Sequence, residues 1–270
     1  MRVQVPPPAQ KMTIFVILLL TYKFVSLVPS ITEIFYLLNV QDSLVAVSYY
    51  CNYPVETKDK KKVGDLLSPS YEEIVRLKPD YVIITLPMQT QVAQNLHKLN
   101  IKYLVFNPES FQEIISTIDS VSKLTGAEQR AKIVIDSLKG YLREIKPLPH
   151  TPTVYVELSE KPLYTVGKNS FLNELIKVAG GRNIFESRDE SYFSPNQEEI
   201  VKLNPQFIIL IYPGAERKRV EQRLGWGKIE AVKKNQIYTL DPDMFSRPGP
   251  RLFEATLKLN RLLLQTTKSR

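Results

Sequence analysis

The chain has 270 residues, 43% of them apolar and 24% charged, a balance that fits one large domain or two ordinary lobes and excludes a disordered chain. Its formal net charge is +8, but lysines and arginines alternate with glutamates, and the one cationic run at 58–62 reads as a solvated loop, so no nucleic-acid surface is indicated. One cysteine, Cys51, excludes a disulfide framework and a cysteine-built zinc cluster, and two histidines, His97 and His150, leave little for a histidine metal site.

In chain order, Arg2 and Lys11 precede the apolar run MTIFVILLLTY at 12–22. This is the outline of an export leader, too short to span a membrane comfortably, and the same run would also serve as an extra buried strand. A strand is predicted over 23–28, which Pro29-Ser30 turns into a helix over 31–38, and a second strand over 45–48. A loop over 49–67 opens with the aromatic YYCNYP. Then comes SPSYEEIVRLKPDYVIITLP at 68–87, which returns as SPNQEEIVKLNPQFIILIYP at 194–213. Half of the paired positions are identical, among them Glu72/Glu198, Glu73/Glu199 and Pro79/Pro205. In each copy Ser-Pro starts a helix, placed at Pro69 and at Pro195, the second proline ends it, and a β-branched run follows as a strand buried on both faces. Two such units mean two similar lobes.

Between the copies, helices are predicted over 89–99 and 111–124 and a strand over 103–106. A long helix over 127–145 ends at the proline-rich 146–152, where the first lobe gives way to the second. The second lobe reads as a strand over 153–158 and a helix over 170–179 ended by Gly180-Gly181. After the second copy come helices over 215–223 and 228–233, a strand over 236–240, a loop over 241–251 and a last helix over 252–264. Strands separated by helices make two Rossmann-like α/β lobes with mostly parallel sheets joined by one long helix. The divisions are a leader-like 1–22, a first lobe at 23–124, a connecting helix at 125–146 and a second lobe at 147–270.

No G-x-G-x-x-G, Walker or G-x-S-x-G pattern occurs, and Gly225-Trp226-Gly227 is half a fingerprint, so no catalytic residue, metal site or cofactor is assigned. The paired carboxylates Glu72-Glu73 and Glu198-Glu199 sit in first helical turns, where they complement the helix dipole. Ligands of parallel sheets bind beyond the carboxyl ends of the strands and between lobes. The loops there hold Pro29, Ser30, Tyr49, Tyr50, Tyr53, Leu86, Pro87 and Asn107 in the first lobe, and Glu157, Tyr192, Phe193, Tyr212, Trp226 and Arg247 in the second. Their aromatics suit a large flat ligand, and several are expected to be packing instead.

FVSLVPSITEI at 24–34, YCNYP at 50–54, VGDLLSPSYEEIVRLKPDYVI at 63–83, LYTVGKNSFLNELIKVAGGRNIF at 163–185 and LDPDMFSRPGPRL at 240–252 together resemble the helical-backbone substrate-binding proteins of ABC importers. Within that family they are most similar to the vitamin B12 (corrinoid) binders, with ferric-siderophore and haem binders close by. The resemblance implies a monomeric, extracytoplasmic protein that holds a corrinoid, or alternatively a ferric siderophore or haem, in an interlobe cleft. It further implies delivery to a permease dimer with its ATPase subunits, against which one glutamate per lobe docks. Glu72 and Glu198 fall on those positions. The departure is MTIFVILLLTY, interposed before the first strand. A different class, a cytoplasmic two-lobed α/β enzyme or sensor, is the remaining reading.

Overall fold

A computed structural model describes residues 22–268, so the leader expected at 1–22 lies outside the described residues except for Tyr22. The first lobe comprises β1 (Phe24–Ser26), α1 (Pro29–Leu37), β2 (Leu44–Val47), α2 (Tyr71–Leu77), β3 (Tyr81–Ile84), α3 (Thr90–Lys98) and β4 (Tyr103–Val105). Its four strands are parallel in the order β2-β1-β3-β4, with Phe24 beside Tyr81 and Val82 beside Tyr103. α4 (Phe111–Thr125) ends at Gly126, in the left-handed region at φ 70°, and α5 (Glu128–Arg143) follows. At 1.5 Å per residue α5 is about 24 Å long.

The second lobe follows with β5 (Thr153–Glu157), β6 (Ser159–Glu160), β7 (Leu163–Val166), α6 (Phe171–Val178), β8 (Arg182–Asn183), β9 (Tyr192–Phe193), α7 (Gln197–Leu203) and β10 (Phe207–Leu210). α8 (Arg217–Glu221), α9 (Glu230–Lys233), β11 (Ile237–Thr239), α10 (Pro242–Phe245) and α11 (Arg251–Lys268) complete it. Its main sheet is parallel in the order β11-β10-β5-β8. A small antiparallel sheet, β6-β7-β9, extends from the end of β5 and was not expected. The segment after β11, expected as loop, contains the single turn α10, whose N-cap Asp241 accepts from the Asp243 amide at 2.9 Å.

The repeat is visible down to its caps. α2 and α7 begin two residues later than expected, because Ser70 and Asn196 cap them rather than the serines before the prolines. Ser70 accepts from the Glu73 amide and Asn196 from the Glu198 amide. Both helices end on a left-handed residue, Lys78 at φ 47° and Asn204 at φ 45°, just ahead of the proline that forbids continuation.

The strands that follow explain the near-continuous apolar runs. In β3, Ile83 faces one core while Val82 and Ile84 face another. In β10, Phe207 and Ile209 face the first of these cores while Ile208 and Leu210 face a third. The outer cores belong to one lobe each, and the inner one is shared. It runs from Ile31 and Phe35 of α1 through Ile114 and Ile118 of α4 to Leu175 of α6 and Phe253 of α11. Each such side chain contributes about 1.5–3 kcal/mol on burial. α5 packs along both α4 and α11. The lobes are therefore joined by a hydrophobic layer as well as by a helix, which favours small relative movements over wide hinging.

Candidate functional site

Loops that follow strands of the two parallel sheets meet, and hydrogen bonds tie the lobes together at two places. At one, Asn52 Nδ2 donates to Asp243 Oδ2 at 2.7 Å, and Arg247 Nη1 donates to Asn52 Oδ1 at 2.8 Å. Gly249 lies beside them. A Cβ there would stand 2.7 Å from that of Ser30, so only glycine permits the approach. At the other, the Phe111 amide donates to Glu174 Oε2 at 3.0 Å, and the Glu109 carboxylate faces Tyr192 closely enough to disfavour its ionisation.

Tyrosines stand on the loops and short strands of both lobes. Tyr49, 65% exposed, and Tyr50 follow β2 in the first lobe, with Leu86 and Pro87 after β3. Asn107 follows β4 and accepts from the Thr85 hydroxyl at 2.8 Å. In the second lobe Tyr164 and Tyr192 stack with rings 12° from parallel on neighbouring strands of the small sheet. Burial, opposed by a hydrogen bond with Ser170, pushes the Tyr192 phenol up to about 12. Tyr212, after β10, donates to Glu157 Oε1 at 2.9 Å.

Glu157 is the hub of this wall. It is fully buried, and Arg223 donates to its two oxygens from Nη1 and Nη2 at 2.6 and 2.8 Å. Tyr155 donates to it as well, at 3.3 Å, and the Arg223 guanidinium lies over the Trp226 ring, 4.5 Å from its centroid. Burial and the adjoining carboxylate hold the Tyr212 phenol well above its ordinary value, so it stays a neutral donor.

Four of the expected ligand contacts are corrected by this geometry, because a ligand cannot reach a buried side chain. Trp226 is fully buried in the outer core of the second lobe, beside Tyr155. Phe193 packs edge-on to Phe185, with Arg188 over its ring. Ser30 lies beneath Gly249, and Glu157 spends its charge on Arg223. Tyr53 is exposed but its ring is covered on one face by Arg251, 4.2 Å from its centroid, and it borders a cavity on the flank of α1 rather than the tyrosines of the cleft. Pro29 is half-buried at the start of α1. Tyr49, Tyr50, Leu86, Tyr192, Tyr212 and Arg247 remain accessible in part or in full. The sequence reading missed Tyr164, Asn52, Asp243, Glu109 and Arg223. Tyr164 lies in a strand too short for periodicity to register, and Arg223 meets its partner across 66 residues.

The repeated glutamates part company within each pair. Glu73 is engaged by Lys61 and Arg76, and Glu199 by Arg188 at 3.2 Å. Glu72 and Glu198 are exposed on the first turns of α2 and α7, and among the described residues neither carboxylate has an ion-pair partner. No helix among the described residues is long and apolar enough to cross a membrane.

Comparison with known proteins agrees with this architecture. The chain is 36% identical over 248 residues to an uncharacterised ABC transporter substrate-binding lipoprotein of Bacillus subtilis, covering 88% of this chain and 78% of the relative. It is 26% identical over 238 residues to a vitamin B12-binding protein of Vibrio cholerae, covering 86% of each. A crystal structure of a possible iron-binding, periplasmic solute-binding protein of Staphylococcus epidermidis superposes with a TM-score of 0.78 at 30% identity, over 90% of this chain and 98% of that one. A model of the periplasmic binding protein family matches residues 25–244, and with two lobes, parallel sheets and a cleft between them the chain belongs to that family of ABC-transporter substrate-binding proteins.

Proposed function

We propose that the protein captures a corrinoid in the interlobe cleft and hands it to a membrane permease dimer, acting outside the cytoplasm. The lobes are taken as 23–124 and 147–270, joined by the helix at 125–146. What supports the ligand class is the set of accessible tyrosines on the loops and short strands of both lobes, Tyr49 and Tyr50 in the first and the stacked Tyr164 and Tyr192 with Tyr212 in the second. Aromatic faces on both sides of a cleft suit a large flat macrocycle, and phenols can donate to its amide side chains. The vitamin B12-binding relative in Vibrio cholerae supports the same class. Tyr212 argues against ferric haem. Its proton is committed to Glu157, and losing it would set two anions 2.9 Å apart, so it is a poor phenolate ligand for iron.

Glu72 and Glu198 are the proposed docking carboxylates. The repeat gives each lobe one, and both lack an internal partner among the described residues. Such charges chiefly aid encounter and register. The ligand reading is tested by titrating cobinamide, hemin and a ferric hydroxamate chelate in turn. Saturable binding of cobinamide with none of the other two supports it, and binding of hemin or the chelate alone replaces it.

A further inference from the structure

Away from the cleft loops, a cavity of about 530 Å³ lies between the flank of α1, the loop after Tyr53, and the faces of α5 and α11. That volume is within the range of small-molecule pockets. Three tyrosines line it, Tyr36 from α1, Tyr53 from the loop and Tyr141 from α5, over an apolar floor that includes Leu37 and Leu138. Its charge runs against that of the whole chain. Asp42 and Glu56 line it, Glu254 does so while paired with Lys258 at 2.9 Å, and its arginine, Arg251, is held by Glu33 through two hydrogen bonds at 2.9 and 2.7 Å. Lys60 is the cation left on the wall. Two polar atoms in the lining, the Tyr36 hydroxyl and Gln41 Oε1, are buried without a hydrogen-bond partner among the described residues, which natural proteins seldom tolerate. Burial, then the carboxylates of Glu56, Asp59 and Asp42, holds the Tyr36 phenol above its ordinary value, the mark of a locally negative field.

From these residues we infer that the flank cavity is a second binding site, for a small organic cation carrying N–H donors, an ammonium or guanidinium on a short apolar body. The Tyr36 and Tyr141 rings attract the charge, the apolar floor takes the body, and the carboxylates of Asp42 and Glu56 are the acceptors. The site does not depend on what the cleft takes. One of its walls, Arg251, donates to the Asp243 backbone oxygen at 2.9 Å, and the side chain of Asp243 bonds Asn52 and Arg247 at the end of the cleft.

Calorimetry on the full chain with phenethylammonium and its uncharged counterpart phenethyl alcohol tests the inference. Saturable one-to-one binding of the cation is expected, roughly tenfold tighter than the alcohol, since the two share the apolar body and differ only in the head group, a charged triple donor against a neutral hydroxyl. Glu56→Gln with Asp42→Asn, both exposed and so tolerated by the fold, should weaken the cation roughly tenfold. Lys60→Ala should strengthen it, a change of sign that a merely structural role would not give. Asp119→Asn, an exposed carboxylate of α4 outside the cavity, should change nothing. Absence of saturable heat, equal binding of cation and alcohol, or the same weakening with Asp119→Asn would overturn it.

Discussion

On the second lobe the Tyr212 phenol is fixed by a buried carboxylate that Arg223 clamps from both oxygens, and Tyr192 is held by a stacked neighbour. On the first lobe Tyr49 and Tyr50 project into solvent, and among the described residues neither phenol has a hydrogen-bond partner. The same side chain is thus offered in two states of preparation. Ordering a free side chain on binding costs about 0.5–1.5 kcal/mol, and the second wall has met that cost during folding. The first set, Tyr49 and Tyr50, keeps its rotational freedom.

The largest expected effect breaks the brace itself. Arg223→Met leaves the Glu157 carboxylate buried without its cation, and urea unfolding should show a loss of about 3–5 kcal/mol. Adding Glu157→Gln should recover much of it, because the uncompensated charge is gone. Loss of under about 1 kcal/mol in the single variant would mean that the pair is not a structural hub.

A smaller effect compares the walls directly. Tyr164→Ala and Tyr192→Ala should each weaken ligand binding by about 1 kcal/mol, the scale of an aromatic contact, measured by titration calorimetry. Tyr49→Ala and Tyr50→Ala should cost less, since part of their contact is spent on ordering. The reverse ranking would contradict the division into a prepared and an adaptable wall.

Glu109 sharpens the comparison at the junction of the lobes. Burial and the neighbouring Glu113 raise its carboxyl above the ordinary value, against a hydrogen bond from Asn107. The folded protein therefore binds this proton more tightly than the unfolded chain, so ionised Glu109 costs stability at neutral pH, and the cost fades as pH falls through its raised value. Glu109→Gln should stabilise by a few tenths of a kcal/mol at neutral pH, the scale of one partly exposed charge, with the gain vanishing in acid. A gain that grows on acidification would have the wrong sign.

The proposed docking carboxylates act on a partner rather than on the fold. Glu72→Lys with Glu198→Lys should weaken permease association, each site contributing about 0.2–1 kcal/mol, and leave ligand affinity intact. Glu73→Gln and Glu199→Gln, which release internal partners, should leave association unchanged. A fall in ligand affinity with the first pair would place those residues in the fold or the cleft.

The long elements were legible because their signals are local. The prolines after α2 and α7 and the apolar runs YVII and FIIL announced helix, stop and two-faced strand without reference to anything distant. Their starts were misread by two residues because Ser70 and Asn196 cap them in place of Ser68 and Ser194. The site was less legible, since its determinants are distant pairings. Glu157 at a strand end looks like a ligand contact until Arg223 is found against it, and Trp226 looks like a cleft aromatic until the outer core closes over it. Tyr164 was missed because β7 and its neighbours span only two to four residues each.

The central claim, a corrinoid held between a prepared and an adaptable wall, is tested most directly by calorimetric titration of the full chain with cobinamide. A single saturable site of micromolar or tighter affinity, weakened more by Tyr192→Ala than by Tyr49→Ala, is the predicted result. No heat at saturating cobinamide, or binding indifferent to every cleft tyrosine, would contradict it.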